Sequence, residues 1–180
     1  MLAARGHIGM VEHEISWVEV PQPHRLVAAK VSIPGLPKMI LQSVYLQVMV
    51  GMDTLNKAVV ASALMTGQLS GLHNLMLGDW NMSPATIWRS GILSSVARHQ
   101  IGALDGPTFV SPARTSVLDF AVVQSQCWPL VAGVQLRKDL VTTPHRVVQM
   151  LLHPGSQAPK RWIVQRPFKS GTSDRASGCQ

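Results

Sequence analysis

Nine side chains in this 180-residue chain carry a carboxylate: Glu12, Glu14, Glu19, Asp53, Asp79, Asp105, Asp119, Asp139 and Asp174. Only two of them stand in or at the end of strongly apolar runs, Asp79 closing Asn74-Leu75-Met76-Leu77-Gly78-Asp79 and Asp119 inside Ser116-Val117-Leu118-Asp119-Phe120-Ala121-Val122-Val123. An ionised carboxylate is costly in such surroundings unless it is paired, hydrogen-bonded or bound to a metal. In Gly78-Asp79-Trp80-Asn81 the Asp and Asn lie two apart at the carboxyl end of a strand. Strand alternation would aim both at one face, on the edge where layered α/β sheets bind ligands. Oxygens of these two types suit a hard cation such as Mg²⁺, or the holding of a water for attack on phosphorus. The same residues also read as a simple Asp/Asn turn after a strand.

Other chemistries find less support. The histidines (His7, His13, His24, His73, His99, His145 and His153) include no pair four apart, and neither cysteine lies near them, which disfavours zinc. Cys127 and Cys179 form no CxxC pair and are expected as a strand-edge thiol and a tail thiol. Neither a P-loop nor a Gly-x-Ser-x-Gly elbow is present, so Walker-type nucleotide hydrolysis and α/β-hydrolase chemistry are set aside. The five tryptophans and nine methionines read as packing residues, with Trp88 and Trp128 also open to lining a groove for bases.

The elements that must carry these residues follow from periodicity. Ile15 to Val20 alternates, Pro21-Gln22-Pro23 breaks it, and Leu26 to Ile33 resumes, which predicts a hairpin. Met39 to Val48 reads as a strand. Thr54 to Leu69 switches to a helical period through Leu55, Val59, Ala63 and Leu64, with Asp53 or Thr54 as N-cap and an end near Gly67 or Gly71. A short strand, Asn74 to Leu77, then runs into Asp79. Ala85 to Ala97 is open between a second helix and an irregular turn, because Gly91 interrupts its fourfold spacing. Further strands are expected over Thr108 to Val110, Val117 to Val123, Val131 to Leu136 and Val147 to Leu152. Many strands with a strand-helix-strand unit in the middle predict α/β or α+β layered packing, and no repeat is visible.

The balance of composition bounds the rest. Apolar residues make up 46% and charged residues 14%, ample material for one core. No 18-residue apolar run and no signal-peptide core are present, so the expectation is an intracellular protein without a membrane span, in nucleus or cytoplasm. The net charge is +7, which favours a polyanionic partner. Residues 1–153 read as a domain and 154–180 as a basic, flexible tail, where Lys160, Arg161, Arg166, Lys169 and Arg175 face only Asp174.

Leu77-Gly78-Asp79-Trp80-Asn81 resembles the GDxN motif of the endonuclease/exonuclease/phosphatase superfamily, the DNase I-like and abasic-endonuclease-like proteins that include retroelement endonucleases. Ser116 to Val123 is similar to that family's S-x-IDYVLV strand, and Thr143-Pro144-His145-Arg146-Val147-Val148 to its SDHxPV motif, in the family's order and spacing. Ser43-Val44-Tyr45-Leu46, followed by a helix holding Asn56, resembles the strand whose Tyr approaches the scissile phosphate. The similarity runs from about Ile15 to Leu152.

The resemblance implies an incomplete four-layered α/β sandwich of the DNase I-like type. It implies a phosphodiesterase or nuclease acting on nucleic acid, with Mg²⁺ or Mn²⁺ as cofactor and a water attacking phosphorus in line. Carried across, Asp79 orients or deprotonates the water and Asn81 holds the phosphate or that Asp, both also serving as metal ligands. His145 contacts a phosphate oxygen, Asp119 accepts from its other ring nitrogen, and Tyr45 is a phosphate-side hydroxyl. Two departures stand against this pattern. Pro144 replaces the Asp of the SDH motif, and the family's early Asn strand and Gln-Glu pair do not appear before Ile15, so the chain reads as amino-terminally truncated. Glu12 and Glu14 match a later part of the pattern and are not promoted to ligands. The alternative reading is a non-catalytic remnant or a basic nucleic-acid-binding domain; a small basic RNA-associated protein outside the family is a third.

Overall fold

In a computed structural model of the chain, residues 9–12, 23–102, 104–137, 139, 140 and 142–153 are described. The expected strand Ile15 to Val20 and the tail 154–180 lie outside them. Gly9–Glu12 (β1), Leu26–Ser32 (β2), Met39–Tyr45 (β3), His73–Asp79 (β4), His99–Ile101 (β5) and Asp119–Gln124 (β8) form one sheet in the order β1-β2-β3-β4-β8-β5. Within it β3 and β4 run parallel and every other pair antiparallel. Phe109–Val110 (β6) and Thr115–Ser116 (β7) make a small hairpin, and Val131–Leu136 (β9) and Val148–Leu152 (β10) a second two-stranded unit.

The parallel β3–β4 pair requires a crossover, which the helix Thr54–Ser70 (α1) supplies. Asp53 caps its start by accepting the Asn56 N–H, and Gly71 closes it in the left-handed conformation. Val59, Val60, Ala63 and Leu64 of α1 pack onto Leu26, Val44, Met76, Phe120 and Val122, a face of the sheet made by alternation. The opposite face buries Val31, Met39, Leu75, Ala121 and Val123 against Cys127, Val131 and partly buried Val134 and Met150. Helix, six-stranded sheet and β9–β10 are therefore three layers, as an incomplete sandwich requires.

Several boundaries differ from the periodicity reading, each for a physical reason. β3 stops at Tyr45 rather than Val48 because the chain turns into a loop that Asn56 holds. Between Ala85 and Ala97 the chain makes a short helix, Pro84–Arg89 (α2), and a 3-10 turn, Ile92–Ser94, split where Gly91 takes φ +73°. Cys127 is not a strand-edge thiol. It lies in a 3-10 segment, Ser125–Leu130, fully buried, and burial pushes its thiol up to about 11. Trp128 packs partly buried against the second core, whereas Trp88 is exposed. Among the described residues no helix is long and apolar enough to cross a membrane.

Candidate active site

Strand register assembles the site. Tyr45 at the end of β3 pairs with Asp79 at the end of β4, and Asp79 pairs with Asp119 at the start of β8. Directly paired residues on adjacent strands point to the same face, so the three side chains form one row across the sheet edge. Arg25, the residue before β2, extends it: its guanidinium carbon lies 5.0 Å from the centre of the Tyr45 ring, within cation–π range. Gly78 makes the row possible. A Cβ added there would sit 1.9 Å from the Val44 carbonyl oxygen, so only glycine lets β3 and β4 meet at this point.

The turn after β4 is anchored by Trp80, fully buried and stacked on Phe120 at 5.2 Å with its indole N–H donating to the Phe120 carbonyl at 3.0 Å. Asp79 and Asn81 stand on either side of this anchor. Simple strand alternation does not place Asn81, because it takes φ +49°. Its backbone N–H donates to Asp79 Oδ1 at 3.0 Å and its side-chain amide to the Leu46 carbonyl at 2.8 Å. The motif is thus an Asp/Asn turn, and with its amide nitrogen engaged by Leu46 the side-chain oxygen Oδ1 of Asn81 is left without a bond to that carbonyl.

His145 comes over the row from the segment before β10. Its Nδ1 lies 2.8 Å from Asp119 Oδ2 and its Nε2 4.0 Å from Asp79 Oδ2. A carboxylate can only accept, so Nδ1 carries the proton and Nε2 faces Asp79. The segment is fastened by Phe109, edge-on to the imidazole at 5.2 Å, by the Val110 N–H to the Pro144 carbonyl at 2.9 Å, and by the Thr142 hydroxyl to the His145 carbonyl. Thr108, fully buried, ties these parts together: its hydroxyl oxygen accepts the backbone N–H of both Leu118 and Asp119 at 2.8 Å.

Burial holds the Asp79 carboxyl above the ordinary carboxylate range, and the charge of Asp119 adds to this against the opposing pull of the Asn81 N–H and of His145. Ligand atoms of Asp79, Asp119 and His145 all lie within 4.8 Å of one another, a spacing at which they could hold a metal ion. Two facing carboxylates, one of them partly desolvated, are the donor set a cation would relieve.

All five residues singled out by sequence are therefore placed here: Tyr45, Asp79 and Asp119 in the row, Asn81 beside it and His145 above it. Arg25 and Thr108 were missed. The register of Leu26 opposite Val44 puts Arg25 next to Tyr45, but that pairing is readable only in the fold. Thr108 bonds to backbone ten positions away and leaves no local signal.

No protein-family model and no curated protein sequence matches this chain. Solved structures do match in fold. The endonuclease domain of TRAS1, a telomere-specific non-LTR retrotransposon, superposes with a TM-score of 0.60 at 15% identity, covering 78% of this chain and 65% of that one. Cytolethal distending toxin from Actinobacillus actinomycetemcomitans gives 0.55 at 18% identity, over 85% of this chain and 60% of that one. A 3′-5′ exonuclease from Neisseria meningitidis gives 0.54 at 14%, over 79% and 70%. The chain spans 65% and 60% of the length of the first two. Sheet order, crossover helix and these likenesses together identify the architecture: the chain has a DNase I-like fold.

Proposed function

We propose that this protein is a divalent-metal-dependent phosphodiesterase of endonuclease type, acting on nucleic acid by in-line attack of water on phosphorus. The observation that carries the reading is the convergence of Tyr45, Asp79, Asp119 and His145, from four separate segments, on one sheet edge with the His145–Asp119 bond at 2.8 Å. The DNase I-like fold of nucleases such as the TRAS1 endonuclease domain supports it, and a retroelement-type ancestor is compatible with that likeness. So does the +7 charge, suited to a polyanion.

In this reading Asp79 orients the attacking water or accepts its proton. The Asn81 N–H holds that carboxylate in place. Asp119 fixes the ring and tautomer of His145, whose Nε2 is left to meet a phosphate oxygen; as an imidazolium it donates there. The Tyr45 hydroxyl and the Arg25 guanidinium lie on the phosphate side, Arg25 as a fixed positive charge. With Asp119 engaged by His145, Asp79 and Asn81 Oδ1 would hold the Mg²⁺ or Mn²⁺ ion, which when bound supplies charge stabilisation at the phosphate. Pro144 contributes no carboxylate, so the affinity expected is low.

The test is hydrolysis of plasmid and abasic-site DNA with Mg²⁺ or Mn²⁺ against EDTA. Cleavage should require the metal and fall by about 100-fold or more in both Asp79→Ala and His145→Ala. Metal-dependent cleavage persisting in both variants would remove the assignment. The low carboxylate count favours one rival, a binding-only domain. That rival predicts polyanion affinity that weakens steeply with salt and ignores Asp79.

A further inference from the structure

Helix α1 lacks the charged outer face that a surface helix ordinarily carries. Its inward face is taken up by the core, through Val59, Val60, Ala63 and Leu64. The outward face runs through Thr54, Ala58, Ala61, Met65 and Leu69, all partly or fully exposed, and Lys57 is the single charge in the whole helix. Steps of three or four residues keep these side chains on one side of the helix over about 22 Å.

The chain between α2 and β5 forms a second wall beside this face, and an open groove of about 530 Å³ lies between the two. Ala58 and Ala61 line it from α1, Gly91 and Ile92 from the other side. Side chains this small let another backbone come close. An open groove that follows a helix and has an apolar floor is the shape that receives an amphipathic helix.

The charge of the two walls has one sign. No carboxylate occurs from residue 54 to 78 or from 80 to 104. Lys57, which lines the groove, is an exposed cation, as are Arg89 and Arg98, which lie at the two ends of the second wall in the chain. Asp53, next to the lining in sequence, is held at the start of α1, where it accepts the Asn56 N–H at 2.8 Å.

We infer that this groove docks an amphipathic helix of another protein, apolar along the inserted face and carrying carboxylates on the flanks that meet Lys57 and Arg89. The inference does not rest on the nuclease reading. A second copy of this chain is the poorer occupant, because pairing the groove with itself would bring two sets of cations together with no carboxylate between them. Nucleic acid is also poorer: three cations make few phosphate contacts, and a phosphate backbone would leave the apolar floor unmatched.

The experiment follows, by fluorescence anisotropy in EDTA, a labelled synthetic helix of about three heptads with Leu and Ala on one face and Glu along both flanks. A second peptide with Lys in place of Glu is run beside it. The full chain should bind the Glu peptide saturably and the Lys peptide about tenfold more weakly. Ala61→Arg, which fills the groove from a partly exposed position, should weaken the Glu peptide by about tenfold or more. Lys57→Glu, a change at an exposed side chain, should weaken the Glu peptide about threefold and favour the Lys peptide, a reversal that a merely structural residue would not produce. No binding of the Glu peptide, equal binding of both peptides, or binding that Ala61→Arg leaves intact overturns the inference. So does a dimer in sedimentation that Ala61→Arg splits, which assigns the groove to a second copy. Displacement of the peptide by a short DNA duplex, whose own binding Ala61→Arg abolishes, also overturns it and assigns the groove to nucleic acid. The cleavage reading uses no residue of the groove and stands or falls apart from these results.

Discussion

Replacing Thr108 with valine should unmake the site from beneath. The two side chains have nearly the same shape, so the substitution removes an acceptor and leaves the packing. That acceptor serves two backbone donors, the Leu118 and Asp119 N–H groups, each at 2.8 Å, at a position with no solvent exposure. Water cannot replace it. A buried donor left without a partner costs about 1–3 kcal/mol, so two of them, the Asp119 amide being only partly buried, cost about 2–4 kcal/mol. That is a large share of a domain stability of about 5–15 kcal/mol. At about 2–4 °C per kcal/mol for a chain of this size, the melting temperature should fall by roughly 5–15 °C. Thr108→Ser keeps the oxygen and should recover most of the loss, the remainder being one methyl group. Paired melts of the three proteins test the energy, and the metal-dependent cleavage assay tests the link to Asp119 and His145. A valine variant as stable as the parent would refute the account of Thr108 as the tie between these segments.

Two further outcomes follow from geometry already given. Gly78→Ala should cost about 3 kcal/mol or more and strip the site of its row, because the new Cβ would meet the Val44 carbonyl oxygen at 1.9 Å and backbone must move; denaturant unfolding measures it. His99 is buried, its Nδ1 against the Ala97 carbonyl at 2.7 Å and its Nε2 3.5 Å from the Asn74 amide, and burial holds its pKa below the ordinary histidine value. The folded chain therefore keeps the ring neutral while the unfolded chain binds a proton below about pH 6.5. Stability should be full above that pH and fall, by about 1.4 kcal/mol per unit, as pH drops from 6.5 toward the folded-state value. His99→Gln should flatten that part of the profile, and a profile unchanged by it would refute the assignment.

What could be read from sequence was what local pattern determines. Val131–Leu136 was read to the residue, and α1 within a residue or two, because its period, the Asp53 cap and Gly71 are all local. The Asp79-Trp80-Asn81 unit was legible because a carboxylate ending an apolar strand demands an explanation. The strands Gly9–Glu12, His99–Ile101 and Thr115–Ser116 were not, since two to four residues carry no period and their partners define them. Likewise the left-handed setting of Asn81, the tie made by Thr108 and the position of Arg25 over Tyr45 arise from residues far away in the chain.

The row from Arg25 through Tyr45 and Asp79 to Asp119, closed by His145, draws on nearly the whole described length of the chain. Each member reaches its place through a pairing between distant segments, which forms late because the intervening loop must first be closed. A partly folded chain holding only α1 with β3 and β4 would have Asp79 without Asp119 or His145. On the proposed phosphodiesterase reading, turnover would thus report on completed assembly: a nascent or damaged copy would not cleave nucleic acid until its last strands had docked.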